Sequence, residues 1–324
     1  MLYRKEKQMK AYIKEAIPVT HDEWLKQRSK GLGGSDAGAV MGLNPYKSAY
    51  TLWAEKTGLV SSYVPENEAI RLGNDLEEYV AKRFTEQTGK KVRRSKYCYQ
   101  SKEYPFMRAN VDREIVGENA VLECKTANPF KDADYSQDVI PPHYYCQCLH
   151  YIATRHLDRV YLAVLVFQKG FYIYVIDRKD PGVEEDIQAL IQTENEFWTH
   201  VMSGEPPQVD GSDSTTNTLK QLHQSDETRA LDLCDYDDKL DEIQELKDRQ
   251  KHLKDRQKTL ENEIKEALQN YDFGRSSIYN VSAKITVTNR FDSGAFKKEN
   301  PKIYEAYKKE SQTQTLRISK RKDI

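Results

Sequence analysis

The sequence has no hydrophobic run long enough to cross a membrane. Its longest apolar stretch, residues 160–167, is far shorter than the roughly 18 residues that a membrane-spanning helix needs, and it predicts a buried strand instead. Residues 1–7 carry charges without the apolar segment that a signal peptide places behind them. We therefore expect a cytoplasmic protein.

Cysteines are few, and their spacing excludes several kinds of metal and redox site. There are five, at Cys98, Cys124, Cys146, Cys148 and Cys234. The number is odd, no two form a C-x-x-C pair, and an iron–sulfur cluster would need four well-placed thiolates. We expect free, reduced thiols.

An excess of charge is also absent. The 50 basic and 51 acidic residues leave a net charge of −1, which is not the overall signature of a nucleic-acid-binding protein. Positive charge for DNA would have to be local, and the basic runs at residues 90–96 and 320–322 give this only weak support. The 324 residues suffice for one large domain plus an appendage, or for two domains.

What the sequence does contain is a hairpin signal at residues 112–125. Two short strand-like runs flank a turn that begins at Gly117. Because alternate residues of a strand share a face, Glu123 and Lys125 point to one face and the Cys124 side chain points to the other.

These groups suit the hydrolysis of a phosphodiester. Asp112, Glu123 and the Cys124 carbonyl supply the hard oxygen ligands that Mg²⁺ prefers, and Lys125 can hold and polarise a water for attack. The spacing D-x10-E-x-K is common on its own. An ordinary hairpin with a Glu–Lys pair on a solvated face is the alternative.

A second candidate feature is a glycine-rich turn at residues 31–36. A capping box at residues 20–23 predicts a helix that carries Arg28 and leads into this turn. The glycines would let the main chain approach a ligand closely, and Ser35 is a natural N-cap for a helix over residues 37–41. The unpaired N–H groups there, flanked by Arg28 and Ser35, predict a phosphate site.

Two longer helices carry further candidates. The first, over residues 68–88, places Glu77 on its apolar stripe. A carboxylate there is costly unless something pairs with it; a metal or its water shell would do so, and a partly exposed position at the edge of the stripe is the alternative. The second helix, over residues 143–154, brings Gln147 and Tyr151 to one face.

The order of predicted elements is helices, hairpin, helix, hairpin, helix, which is typical of an α/β sandwich around a mixed central sheet. The Gly-, Pro-, Ser- and Asp-rich stretch 203–218 predicts a linker. Beyond it, residues 243–267 repeat apolar side chains at heptad spacing, with glutamine at two core positions that weaken the seam but could fix its register. An intermolecular coiled coil and a helix folded back on its own chain both fit this pattern.

The C-terminal segment predicts a small α+β structure. Residues 277–290 read as two strand-like runs, residues 296–309 as a helix and residues 314–319 as a last strand.

In combination these motifs resemble the YqaJ-type viral recombinase family, the phage lambda exonuclease-like branch of the PD-(D/E)xK nucleases. The resemblance covers about residues 20–180. The matching blocks, in chain order, are Arg28 with Gly33-Gly34-Ser35-Asp36, Leu52-Trp53 to Lys56-Thr57-Gly58, Gly73 to Glu77, Asp112, Glu123-Cys124-Lys125, and Gln147 to Tyr151.

The resemblance implies a restriction-endonuclease-like PD-(D/E)xK core with a mixed central sheet flanked by helices, plus a C-terminal helical and small α+β appendage. The expected domains are an exonuclease-like nuclease core over 1–209, a linker and helix over 210–235, a heptad-patterned helix over 236–270 and a small α+β segment over 271–324.

It also implies a Mg²⁺-dependent DNA exonuclease, with two ions and Mn²⁺ as a substitute. The enzyme would digest linear duplex DNA from the 5′ end and leave 3′ single strands for a RecT/Bet-like annealing protein in phage-type recombination. The resemblance also implies a homo-oligomer in the form of a ring-shaped trimer. Its expected location is the cytoplasm of a bacterial host.

The resemblance assigns a role to each candidate residue. The metal ligands would be Asp112, Glu123 and the Cys124 carbonyl, with Glu77 as a ligand through water and Lys125 positioning the attacking water. The 5′-phosphate would be bound by Arg28, Ser35, Gln147 and Tyr151.

Two other functions fit parts of the pattern. An endonuclease or structure-selective nuclease would use the same core, and a non-catalytic DNA-binding scaffold would use the heptad helix as its working part. The iron–sulfur nucleases of the same superfamily do not fit, because only Cys98 lies upstream of Asp112.

Overall fold

The computed structural model describes residues 11–62, 67–128, 139–223, 231–309 and 315–319. The chain divides into two units, residues 1–224 and residues 225–324. Among the described helices, none is long and apolar enough to span a bilayer. The basic run at 320–322 lies outside the described residues.

The first unit is built from strands and helices that alternate along the chain. Its strands are β1 (Tyr12–Ala16), β2 (Leu32–Gly33), β3 (Val92–Arg94), β4 (Tyr97–Ser101), β5 (Met107–Asn110), β6 (Arg113–Ile115), β7 (Ala120–Ala127), β8 (Arg159–Val166) and β9 (Gly170–Asp177). Its helices are α1 (His21–Arg28), α2 (Gly34–Val40), α3 (Ala49–Lys56), α4 (Glu68–Thr88), α5 (Pro142–Arg155), α6 (Val183–Ser203) and α7 (Asp213–Leu222).

These strands form two sheets, with the order β1-β4-β5-β2 in one and β3-β6-β7-β8-β9 in the other. In the five-stranded sheet β7 and β8 run parallel, and the other neighbours are antiparallel. Helix α5 makes the long crossover that joined parallel strands need. The predicted mixed central sheet flanked by helices is therefore confirmed.

Alternation along β7 sorts its side chains between two apolar clusters. Leu122 and Cys124 pack in a cluster that includes the buried side of α4. Val121 and Ala127 belong to the main core, which includes much of α5. Because successive residues of a strand alternate between its faces, Glu123 shares the α5 face. The sheet thus carries a carboxylate into its main core.

A buried charged pair joins α5 to α6. His150 and Glu194 are both fully buried, and His150 Nδ1 lies 2.8 Å from Glu194 Oε1. The other ring nitrogen, Nε2, donates to the main-chain carbonyl of Arg108 at 2.9 Å. Although burial lowers the pKa of His150, Glu194 raises it above its ordinary value. The imidazole therefore fixes α5 against both α6 and β5.

Part of the stretch predicted as a linker, residues 213–218, belongs to helix α7. Thr215 and Thr218, in α7, turn their hydroxyls towards α3, where they hydrogen-bond Ser48 Oγ at 2.8 Å and Thr51 Oγ1 at 2.7 Å. A composition rich in hydroxyl residues is typical of loops, but here those hydroxyls satisfy one another between two helices.

The five cysteines are unpaired, as predicted.

Within the described residues of the second unit, the first element is a 3₁₀ turn at Cys234–Tyr236. The elements that follow are α8 (Asp237–Leu268), β10 (Phe273–Arg275), β11 (Asn280–Ser282), α9 (Ser293–Glu299) and α10 (Pro301–Ala306).

The prediction for the C-terminal segment is wrong in its details. Beyond β11 no strand forms in residues 283–292 or in the described residues 315–319, because Ile285 and Val287 find no sheet to bury them and are 95% and 89% exposed. The predicted helix over 296–309 is two short helices, since Pro301 has no N–H group to continue α9.

Candidate active site

The site begins where β6 parts from β7. The two strands pair only as far as Leu122, so the next residues of β7 present an open edge. Asp112, at the junction between β5 of one sheet and β6 of the other, fills this edge, and its Oδ2 accepts a hydrogen bond from Cys124 N at 2.8 Å. The N–H and C=O groups of one strand residue point to the same side, so the Cys124 carbonyl faces the same edge.

Glu123 lies at the centre of a buried polar network. It is 3% exposed, and its Oε1 accepts from Lys125 Nζ and from Gln147 Nε2, both at 2.6 Å. Gln147 Nε2 also donates to the Tyr151 hydroxyl at 2.8 Å, which donates in turn to the Asn110 carbonyl at 2.9 Å. The predicted pairs Glu123/Lys125 and Gln147/Tyr151 therefore meet in one network.

Burial and neighbouring charges shift the pKa values of Asp112 and Lys125. Burial, together with the charge of Glu123, raises the pKa of Asp112 to about 8. Burial lowers the pKa of Lys125, but Glu123 and Asp112 outweigh it, so that the pKa lies above its ordinary value. Lys125 is thus an ammonium group at neutral pH, able to donate hydrogen bonds but not to accept a proton.

A cavity of about 250 Å³ connects this network to the glycine-rich turn. Buried polar atoms without a hydrogen-bond partner concentrate in its wall. Four of the six such atoms in the described residues belong to lining residues: Gln27 Oε1, Arg108 Nε, Asn110 Oδ1 and Glu123 Oε2. An unpaired buried polar group costs about 1–3 kcal/mol, so this cavity is built for a polar ligand. The other lining residues are Trp24, Arg28, Gly33, Gly34, Ser35, Cys98, Asp112, Lys125, Gln147 and Tyr151.

The opposite wall carries two of the four predicted phosphate-binding residues, Arg28 and Ser35, whereas Gln147 and Tyr151 lie beside Glu123. Arg28 Nη2 donates to Ser35 Oγ at 2.8 Å, and the Arg28 guanidinium lies 4.9 Å from the centre of the Trp24 ring. Asp36 accepts from the Gly33 N–H at 3.0 Å and pairs with Lys56 at 2.8 Å. Burial raises the pKa of Asp36, but the cations Lys56 and Arg28 outweigh it and hold this pKa well below its usual range.

Two details of the glycine-rich turn differ from the prediction. Ser35 is not the N-cap, because α2 already begins at Gly34 and Gly33 takes the cap position. Two of the three glycines, Gly31 and Gly34, also make room for protein rather than for a ligand. A side chain at Gly31 would meet the Phe106 carbonyl, and one at Gly34 would meet the ring of Tyr151.

Glu77 has a partner that the sequence did not reveal. Its Oε1 accepts from the buried Arg113, and from Arg94 Nη2 at 3.3 Å. Arg113 also donates to the Asp112 carbonyl at 2.9 Å, so Arg113 links the Glu77 carboxylate to the main chain of Asp112. Glu77 is not among the described residues that line the cavity, and its role as a metal ligand stays a prediction.

Three of the five basic residues in the run 90–96 are paired with a carboxylate. Lys90 pairs with Glu118 at 2.5 Å, Arg93 with Glu114 at 2.5 Å, and Arg94 with Glu77. These pairs make the run a poor source of free positive charge.

The donors around Asp112 fit a divalent cation. No group of three or more His, Cys, Asp or Glu side chains within the described residues is arranged to hold a metal, but Mg²⁺ commonly binds through one or two carboxylates and keeps several waters. Asp112, Glu123 Oε2 and the Cys124 carbonyl supply such a set. A cation there would also relieve the repulsion between Asp112 and the buried Glu123.

The sequence did not point to Gln27, Arg108 or Asn110 as lining residues. Gln27 Nε2 and Arg108 Nη2 both bind Glu15 Oε2, a contact between distant parts of the chain with no local signal. For Asn110 a signal was available, since it lies two residues before Asp112 at the start of the predicted strand-like run 110–116.

Comparison with known proteins points to one family. The profile of the YqaJ-like viral recombinase domain matches residues 23–157. The protein YqaJ of Bacillus subtilis strain 168 is 36% identical over 298 residues, which cover 90% of this chain and 92% of that protein.

Several solved structures with a partial likeness are exonucleases by name. An alkaline exonuclease, LHK-Exo, from Laribacter hongkongensis is 16% identical, with a TM-score of 0.44 over 57% of this chain and 96% of that one. A putative exonuclease from Eubacterium rectale is 11% identical, with a TM-score of 0.43 over 68% of this chain and 98% of that one.

The contact between Gly34 and Tyr151 yields a prediction on stability. We expect Gly34→Ala to lower the free energy of unfolding by about 1–3 kcal/mol, because the new Cβ would overlap a buried ring that cannot move freely. The matched control is Gly33→Ala, whose Cβ would have no neighbour closer than 3.8 Å and whose cost should be only about 0.5 kcal/mol. Urea unfolding of both variants measures the difference, and equal losses would contradict the close approach.

The raised pKa of Asp112 predicts a stability that depends on pH. The folded protein binds this proton more tightly than the unfolded chain, whose Asp pKa is about 3.9, so the acid costs stability as pH rises towards about 8. In EDTA, Asp112→Asn should therefore be more stable than the wild type, with a gain that grows between pH 5 and pH 8 and then levels off. Thermal unfolding at several pH values measures this gain.

Asp36→Asn is the control, and its effect on stability should have the opposite sign. The pKa of Asp36 is lowered on folding, so the carboxylate contributes stability above about pH 4, and its removal should destabilise the protein throughout the same range. A gain for both variants, or for neither, would contradict the assigned environments.

Proposed function

Because the chain belongs to the YqaJ-like viral recombinase family, we propose that it is a Mg²⁺-dependent exonuclease that digests linear duplex DNA from the 5′ end. The observation that carries this proposal is the cavity with buried acids and an ammonium group on one wall and an arginine–serine pair on the other. Such a cavity can accept a terminal phosphate and a neighbouring phosphodiester together.

The acid wall suits hydrolysis. Asp112, Glu123 Oε2 and the Cys124 carbonyl would hold the divalent cation. When bound, the cation supplies charge neutralisation at the phosphate and an acidified water. The Asp112 carboxylate is kept in place from behind by Cys124 N, and Gln147 fixes Glu123 from above the sheet. Positioning of this kind, with little freedom left in the side chains, is a large part of catalysis.

Lys125 would act as a hydrogen-bond donor. Its Nζ is held 2.6 Å from Glu123 Oε1 and 5.4 Å from the centre of the Tyr144 ring, and its pKa lies above the ordinary value. The ammonium would orient the attacking water and stabilise negative charge on the phosphate. Another base, or solvent, would take up the proton.

The opposite wall suits the end of a DNA strand. The guanidinium of Arg28 presents a planar fork of N–H groups, a geometry that binds phosphate well. Ser35 Oγ adds a hydroxyl at 2.8 Å from that fork. Tyr151 keeps its proton, because burial and the nearby acids raise its pKa well above the ordinary value. Tyr151 would therefore support Gln147 rather than ionise.

The remaining parts of the proposal concern the product and the assembly. Digestion from the 5′ end leaves a 3′ single strand, which a RecT/Bet-like annealing protein would receive. A ring-shaped trimer would keep the enzyme on its DNA, since a modest lining of Lys and Arg suffices when it surrounds the duplex.

The catalytic assignment can be tested with isosteric variants. We expect Glu123→Gln and Lys125→Met each to lower the rate of nucleotide release by about 10²–10⁴-fold, because one loses a cation ligand and the other the ammonium group. Release of acid-soluble nucleotides from linear duplex DNA in Mg²⁺ measures the rate. Glu118→Gln, a change of the same kind on a residue outside the cavity, should leave the rate of nucleotide release unchanged. Activity retained in Glu123→Gln would show that the site is elsewhere.

End recognition can be tested with the same protein. We expect faster digestion of duplexes with a 5′-phosphate than with a 5′-hydroxyl, and Arg28→Gln should reduce the difference by about 10–100-fold, the equivalent of one charge-assisted hydrogen bond. Arg71→Gln, on the exposed side of α4, is the control. End-labelled DNA followed over time measures polarity as well. Cutting of covalently closed circles would instead favour an endonuclease.

A further inference from the structure

The second unit has a long helix but no core of its own. Within its described residues, 231–309 and 315–319, no side chain is buried. Its helix α8 is 32 residues long, and helices in water draw most of their stability from packing an apolar face. Something outside the second unit therefore has to cover this helix.

The uncovered face of α8 carries an apolar stripe that two glutamines interrupt. Leu246, Leu253, Leu260 and Ile264 are 50%, 64%, 44% and 50% exposed, and they follow the heptad spacing of a coiled coil. Three of these four residues also line a groove of about 650 Å³ between α8 and the residues at β11. Its apolar lining residues are Leu253, Leu260, Ile264, Leu268, Val281 and Ala283.

We propose that this stripe pairs with the same stripe of a second copy of the chain, in a parallel, in-register, two-stranded coiled coil. Ile243 and Ile264 take a positions, and leucines take three d positions in succession. Ile at a with Leu at d is the combination that favours parallel dimers. This inference does not rest on the proposed function. Three helices cannot all pair two by two within one ring, so in the proposed trimer the coiled coils would join two rings.

Two glutamines argue for an identical partner in parallel register. Gln250 and Gln257 occupy a positions, where each meets the same residue of the second copy. An amide both donates and accepts, so two glutamines can bond to one another. In an antiparallel pair each glutamine would face a leucine and lose hydrogen bonds on burial. In the free chain Gln257 donates instead to Glu261 at 2.9 Å.

The flanking charges favour the same register on balance. In a parallel pair, a g residue faces the e residue five positions later in the partner. Glu242 then faces Lys247, and Arg256 faces Glu261, so these two pairs of opposite charges attract. Arg249 faces Lys254, and these two like charges repel each other. The repulsive pair identifies a position at which one substitution should strengthen the dimer.

The size of the assembly tests the proposal. In the full-length protein at micromolar concentration, light scattering after gel filtration should show that Leu253→Asp with Leu260→Asp halves the number of chains in the particle. Lys251→Asp with Lys258→Asp, at the same spacing on the outer face of α8, should leave it unchanged. A wild type that is monomeric, or a stripe variant that keeps the wild-type mass, would overturn the proposal.

Cross-linking tests orientation and register. The exposed Cys234 is first changed to Ser, and Gln250→Cys or His252→Cys is then introduced. In oxidised glutathione, Gln250→Cys should give a covalent dimer on a non-reducing gel and His252→Cys, on the outer face, should not. No dimer from Gln250→Cys, or equal yields from the two, would mean an antiparallel pair or a different partner and would overturn the parallel register.

A stabilising substitution completes the test. Lys254→Glu would face Arg249 of the second copy in the parallel dimer, so the dimer dissociation constant measured by sedimentation should fall several-fold. In the antiparallel alternative residue 254 faces itself, and the substitution would only exchange one like-charge pair for another. A dissociation constant that stays the same or rises would overturn the parallel arrangement.

Discussion

The candidate active site depends on the early separation of β6 from β7. Had the two strands stayed paired beyond Leu122, the N–H and C=O of Cys124 would be used in the sheet. Because they separate, the N–H needs another acceptor, and Asp112 supplies it. The same contact brings a second carboxylate beside Glu123 in a place that water hardly reaches, where like charges repel strongly. The fold therefore holds two carboxylates close together at a position where a bound cation would reduce their repulsion.

The structure surrounding this edge is correspondingly rigid. Tyr151 anchors α5 to the Asn110 carbonyl, and His150, one residue earlier in α5, anchors it to Arg108 and Glu194. Buried charged pairs contribute little net stability, and their value here is in geometry. They fix β5, which ends just before Asp112, against the helix that carries the partner of Glu123.

Local periodicity made some of this predictable. The shared face of Glu123 and Lys125 follows from the two-residue repeat of a strand, and the shared face of Gln147 and Tyr151 from the helical repeat. The partner of Glu77 does not follow in this way. The helical stripe indicates that this acid needs compensation, but Arg113 lies 36 residues away in the chain, and no sequence period connects them. The heptad helix is a similar case. Its pattern predicts an apolar stripe but does not identify the surface that covers this stripe.

Net charge limits how this protein could hold DNA. A chain with a net charge of −1, whose basic run is largely paired with Glu77, Glu114 and Glu118, has little free positive charge to attract a duplex along its length. We therefore expect little affinity from phosphate contacts spread along the duplex. Under the proposed function, binding would come from the one place where cationic and hydroxyl groups are fixed around a cavity, at Arg28 and Ser35. A protein that holds DNA mainly at a terminal phosphate acts at ends, which favours an exonuclease over an endonuclease on the same core.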